Sequence, residues 1–135
     1  MEKANRKKFN VVVVDDSDYA RKHIIEILEE EGFNVAGQAA NAEDALKIHA
    51  TVPCHLFLID VVMPMVSGLE LAKFLTEKKT QASIIMMSSL GIESVVIESI
   101  SNGAVDFLKK PFERHDLVSS VDKVATYMET EKLLT

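Results

Sequence analysis

Leu56 to Pro64 reads LFLIDVVMP, an apolar run that stops at a single carboxylate. Four apolar residues in succession, Leu56 to Ile59, are too few for an independent helix and fit a strand buried on both faces, as in a parallel sheet covered by helices. Asp60 then stands at the carboxyl end of that strand. Open α/β sheets gather their reacting groups at these ends, because loops instead of packed side chains surround them.

The same pattern recurs on both sides of this stretch. Upstream, Phe9 to Val14 is a β-branched run that ends abruptly at Asp15 and Asp16. Ser17 or Asp18 can cap a helix in which Tyr19, Ala20, Ile24, Ile27 and Leu28 recur at helical spacing until Gly32. Phe33 to Ala39 gives a weaker strand, and Asn41 then opens a helix whose first turn carries Glu43 and Asp44, where the helix dipole favours anions. Pro53 separates that helix from the central strand.

Downstream, Pro64 and Gly68 bound a loop, and Leu69, Ala72 and Leu75 mark a third helix up to about Lys79. Ser83 to Met87 is a fourth strand ending at Ser88 and Ser89. A helix from about Ile92 to Asn102 is closed by Gly103, Val105 to Lys109 is a fifth strand, and Lys110 and Pro111 follow it. Leu117, Val121, Val124 and Met128 draw an apolar stripe on the last helix. Five strand-helix pairs joined by short connections predict a doubly wound α/β fold: a five-stranded parallel sheet with helices on both faces and right-handed crossovers.

Composition narrows the function classes. The 135 residues leave room for one domain over 9–135 behind a short basic tail, 1–8, in which Lys3, Arg6, Lys7 and Lys8 read as solvated. A net charge of −6 argues against a nucleic-acid binder, which needs a basic face for phosphates. The lone Cys54 allows no internal disulfide and suits a reducing compartment. Val11 to Val14 is far too short for a signal-peptide core or a membrane span, so a cytoplasmic, non-membrane protein is expected, and separately a monomer.

A parallel sheet delivers every strand's carboxyl end to one edge. Asp15 and Asp16, Asp60, Ser88 and Lys110 therefore converge there although they are distant in sequence. Three carboxylates in proximity repel, and one is driven to protonate unless a cation neutralises them. All-oxygen donors of this kind suit a hard ion, Mg²⁺ before Ca²⁺. Lys110 adds a point charge able to hold a phosphoryl oxygen.

From about Asn10 to Met128 these residues resemble the receiver domain of two-component response regulators. The resemblance rests on VVDDS, on LIDVVMP with Gly68 after it, on the hydroxyl in MMSS, and on FLKKPF. It implies a flavodoxin-like strand order 2-1-3-4-5 and a phosphoacceptor signalling protein, not an enzyme acting on a separate substrate. Asp60 corresponds to the aspartate phosphorylated by a histidine kinase. Asp15, Asp16, Asp60 and the backbone carbonyl of Val62 correspond to the ligands of Mg²⁺. Ser88 and Lys110 correspond to the groups that hold the phosphoryl oxygens, and Phe107 to a rotating aromatic coupled to Ser88. The stretch from Met87 to Phe112 is similar to single-domain chemotaxis regulators of the CheY type, which implies a flagellar motor switch protein as target and a phosphatase as a further partner. The output surface implied is the fourth helix, fifth strand and fifth helix.

Rival readings exist. Another phosphorelay could use a stand-alone receiver. A flavodoxin-like electron carrier shares the architecture, but Asp15 and Asp16 would repel its flavin phosphate. A phosphatase of the aspartyl-phosphate type needs an acid/base two residues past the nucleophile, where this chain has Val62. Taken singly, an Asp after a strand is most often a turn former or cap, Ser88 could cap the next helix, and Lys110-Pro111 is an ordinary loop dipeptide. His23, His49, His55 and His115 lack any metal-ligand spacing and read as surface or packing residues.

Overall fold

β-branched and aliphatic runs form the strands because each central strand is buried on both faces. The computed structural model describes residues 5–131 and 133. Its elements are a 3₁₀ turn at Arg6–Lys8, β1 Asn10–Val14, α1 Asp18–Glu30, β2 Asn34–Ala39, α2 Ala42–Thr51, β3 Leu56–Asp60, α3 Gly68–Glu77, β4 Ser83–Ser88, α4 Glu93–Ser101, β5 Asp106–Lys109 and α5 Arg114–Thr130. All pairings are parallel, in the order β2-β1-β3-β4-β5. This is the five-stranded α/β architecture expected from the alternating pattern, with the flavodoxin-like strand order.

The pleat sorts the side chains onto two faces. Val11 and Val13, Leu56 and Leu58, and Ile85 and Met87 pack with Ile24, Ile27 and Leu28 of α1 and with Leu117, Val121 and Met128 of α5. Val12 and Val14, Phe57 and Ile59, and Ile84 and Met86 pack against Ala45 of α2 and Leu71, Ala72 and Leu75 of α3. Burying a side chain of this size stabilises by roughly 1.5–3 kcal/mol relative to exposing it. Such burial on both faces fixes β1, β3 and β4 against one another. The register then brings their carboxyl ends level: Val14 lies beside Ile59, Asp60 beside Met87, and Ser88 beside Lys109.

The helix starts follow the capping chemistry. Ser17 Oγ accepts from Ala20 N at 3.2 Å, so Ser17 and not Asp18 is the cap of α1, and Asn41 Oδ1 accepts from Asp44 N at 2.8 Å. Gly103 closes α4 with φ +104, a left-handed conformation that costs glycine nothing.

Two expectations shift. Phe9, Phe33 and Val105 precede their strands instead of opening them, and the Phe9 and Phe33 rings meet edge to face at 6.2 Å. The basic cluster is not wholly a solvated tail. Lys7 and Lys8 are exposed and Lys3 lies outside the described residues, but Arg6 folds in. Its guanidinium pairs with Glu31 and Asp122, each at 3.1 Å, and sits 4.7 Å over the Phe33 ring. Two carboxylates and an aromatic face hold a planar cation better than water alone. Among the described residues no helix is long and apolar enough to cross a membrane.

Candidate functional site

The carboxyl edge of the sheet gathers Asp15 and Asp16 from the end of β1, Asp60 from β3, Ser88 from β4 and Lys110 from the end of β5. Asp15 is buried, at 1% exposure, and each of its oxygens has a partner. Oδ1 accepts from Ser17 N at 2.9 Å, and Oδ2 accepts from Lys110 Nζ at 2.6 Å. Asp16 faces solvent. Asp60 is 7% exposed, and its Oδ1 lies 3.6 Å from the same ammonium. Asp15, Asp16 and Asp60 each present an oxygen within 4.8 Å of the others, the one such cluster among the described residues. Cys54 and the four histidines stand outside it.

Charge accounting at this edge gives three carboxylates against one lysine. The Asp60 carboxyl is pushed up from 3.8 to about 6, chiefly by burial, with Lys110 opposing and Asp15 and Asp16 reinforcing the rise. Repulsion therefore contributes less than the sequence alone suggests, and desolvation more. Lys110 serves first as the counterion of Asp15.

Backbone geometry brings the strand ends together. Lys110 N donates to Ser88 O at 2.8 Å, and Lys110-Pro111 is a cis peptide. Gly68 N donates to Val61 O at 2.8 Å as α3 turns back over the end of β3. A Cβ on Gly68 would run into the Asp60 carbonyl and come within 2.9 Å of the Ile59 side chain, so only glycine permits this approach. Ser88 is fully buried, and its Oγ accepts from Leu90 N at 2.9 Å. It does not cap α4, whose first residue follows Ile92 with no side-chain cap. Val62 and Leu90 are exposed, at 53% and 49%, and Phe107 is half-buried.

Sequence reasoning passed over Arg21. Its side chain is only 14% exposed, and it reaches back from α1 to the main-chain carbonyl of Asp15 at 2.7 Å. The i,i+3 spacing from Asp18 to Arg21 in the first turn is the signal that marks it.

The raised Asp60 pKa sets a pH dependence. Between about 4 and 6 the folded state holds a proton on Asp60 that the unfolded chain has lost, so its contribution makes metal-free stability fall as pH rises through this window and stay low above it. Asp60→Asn removes this contribution. Urea denaturation across the window should show a flatter profile for the variant and greater stability than wild type above pH 6.

Comparison with known proteins matches the response regulator receiver domain family over residues 11–122. The chemotaxis protein CheY of Thermotoga maritima is 32% identical, covering 85% of this chain and 96% of its own length. CheY of Bacillus subtilis is 34% identical, covering 84% and 94%. Among solved structures, CheY in the CheX–CheY–BeF3–Mg complex from Borrelia burgdorferi superposes with TM-score 0.81 at 34% identity, covering 86% of this chain and 88% of that one. A CheY-like receiver domain protein from Methanospirillum hungatei superposes with TM-score 0.84 at 25% identity, covering 91% and 98%. With the family match spanning most of the chain and the acidic cluster at the edge the fold dictates, this chain belongs to the response regulator receiver domain family.

Proposed function

We propose that Asp60 accepts a phosphoryl group from a histidine kinase and that the phosphorylated chain signals by protein contact in chemotaxis or motility. The observation that carries this reading is a buried Asp60 beside Asp15, Asp16 and Lys110, with a pKa of about 6 that leaves it ionised and nucleophilic at neutral pH. In the transfer, an Asp60 oxygen attacks phosphorus, the O–P bond forms as the N–P bond of the kinase phosphohistidine breaks, and the released imidazole takes up a proton.

Lys110 is within 3.6 Å of Asp60 and needs only a small shift from Asp15 to meet a phosphoryl oxygen. Ser88 Oγ already accepts from Leu90 N, which leaves its O–H proton free to be donated to the same group. The hard oxygen donors of Asp15, Asp16 and Asp60, with the Val62 carbonyl, fit Mg²⁺, which when bound would neutralise charge on the phosphoryl oxygens. Catalysis at this site is positioning and electrostatics.

Ser88 drawn toward the phosphoryl group vacates space behind it, and the half-buried Phe107 on β5 turns inward. A phenyl ring carries no hydroxyl to satisfy there. The surface this reshapes is α4, β5 and α5, where Ile97, Ile100 and Tyr127 are exposed together with Ile92 just before α4 and Val105 just before β5. A flagellar motor switch protein is the partner this face would serve, and CheX bound to a CheY relative points to a phosphatase as a second one.

Incubation with phosphoryl-labelled acetyl phosphate and Mg²⁺ tests the assignment. Wild type should take up label in a hydroxylamine-labile acyl phosphate, and Asp60→Asn should take up none; equal labelling of the two would remove Asp60 from the role.

Lifetime follows from the rim. Val62 and Leu90 stand two residues beyond Asp60 and Ser88, where neither can hydrogen-bond an attacking water and both can shield phosphorus. One missing water-positioning bond of about 1 to 1.5 kcal/mol slows hydrolysis by roughly a factor of ten. Phosphate release from the labelled Val62→Asn, Leu90→Glu double variant should accordingly be about tenfold faster than from wild type. A rate unchanged by the substitutions would remove apolar shielding as the cause.

A further inference from the structure

The acidic pair, Asp15 buried and Asp16 exposed, sits on a short loop between β1 and α1, and its spacing is useful only if that loop cannot drift. Asp15 N donates to Ala39 O of β2 at 3.1 Å, and Ser17 N closes back onto Asp15 Oδ1 at 2.9 Å. Lys110 Nζ holds Asp15 Oδ2 at 2.6 Å, Ser17 Oγ accepts from Ala20 N at 3.2 Å, and one further side chain ties the loop down. Arg21 uses three separate donors on three different partners: Nη1 to the Asp15 carbonyl at 2.7 Å, Nη2 to Asp18 Oδ1 at 2.6 Å, and Nε to Gln38 Oε1 at 2.7 Å. A planar guanidinium is the side chain that can satisfy three acceptors in fixed directions at once. The loop is thereby tied to its own helix and to the neighbouring strand β2.

We propose that Arg21 is a positioning residue for the phosphoryl-transfer site, holding Asp15 and Asp16 in the spacing that receives a divalent cation. The proposal rests on the functional reading above. It concerns a residue whose guanidinium donates to no carboxylate oxygen of Asp15, Asp16 or Asp60 and acts through the Asp15 main-chain carbonyl.

Electrostatics and positioning predict opposite signs here, which makes the role separable. Arg21 is a cation close to the acidic cluster, so as a charge alone it repels a metal ion, and its removal would tighten Mg²⁺ binding. As a positioning residue its removal loosens the loop and weakens binding, by the roughly 10- to 100-fold seen when groups behind metal ligands are lost. Lysine keeps the charge but presents one ammonium where the fork served three directions. On the charge account Arg21→Lys behaves as wild type, and on the positioning account it does not.

The experiment is an amide NMR titration with MgCl₂ of wild type, Arg21→Gln, Arg21→Lys and Gln38→Leu, with amide exchange measured at Asp16 and Ser17 before metal is added. The expected result is a Mg²⁺ dissociation constant raised about tenfold or more in Arg21→Gln, raised less in Arg21→Lys and Gln38→Leu, with faster metal-free exchange at Asp16 and Ser17 in all three. An unchanged or lower dissociation constant in Arg21→Gln would overturn the proposal. Should Arg21→Gln fail to fold, Arg21→Lys and Gln38→Leu decide, and wild-type behaviour in both overturns it. Should wild type itself bind no Mg²⁺, the metal reading of the site falls while the metal-free exchange still tests Arg21, where unchanged rates overturn the positioning role.

Discussion

Holding a carboxylate at a desolvated sheet edge, within 4.8 Å of two others, is the constraint on which the rest of the structure depends. Burial disfavours the charged form of Asp60, and its two acidic neighbours add to that, while a single ammonium opposes both. The fold meets the constraint with fixed partners. Asp15, the most deeply buried of the three, has Ser17 N and Lys110 Nζ on its two oxygens, and Asp16 keeps its contact with water. Asp60 is left with the weakest compensation, the Lys110 ammonium at 3.6 Å. That imbalance is what the cation and the phosphoryl group proposed for this edge would relieve.

Rigidity behind the edge is what makes this tolerable. The valines of β1, the residues of β3 and the core of β4 are essentially fully buried, so the strand ends cannot retreat from one another to relieve the charge. Gly68 brings α3 onto the Asp60 carbonyl, and the Lys110 amide is bonded to the Ser88 carbonyl, which sets the lysine's stem next to β4. Away from the site, Arg6, Glu31, Asp122 and Arg114 lace the 3₁₀ turn at Arg6–Lys8 to the end of α1 and to the first half of α5. Packing, and not local propensity, places the functional groups.

The sequence carries the architecture because the strands are continuous apolar runs and the helices are bounded by Ser17, Asn41, Gly32 and Gly103. Once the strands are parallel, convergence of Asp15, Asp16, Asp60, Ser88 and Lys110 is a matter of topology. Strand order is different, since periodicity says nothing about which strand neighbours which, and here it came through the family resemblance. Arg6 was beyond local reasoning because its partners lie 25 and 116 positions away. The Lys110 contact to Asp15 spans 95 positions, and no spacing rule distinguishes it from the contact to Asp60. The cause of the Asp60 shift was equally hidden, since burial of the edge is a property of the packed molecule. Phe9 and Phe33 carry strong strand propensity, yet they stand one residue ahead of β1 and β2, with Phe33 edge to face against Phe9 and under Arg6, and Phe9 stacked on His55.

The central claim is that the acidic edge holds uncompensated negative charge that a hard cation relieves, and the stability of the purified chain as a function of MgCl₂ tests it most directly. A ligand at a hundred times its dissociation constant stabilises the folded state by about 2.7 kcal/mol. Thermal unfolding followed by circular dichroism should show a midpoint that climbs steadily with Mg²⁺ through the millimolar range, beyond the effect of NaCl at equal ionic strength. A midpoint that responds to the two salts alike would contradict the account.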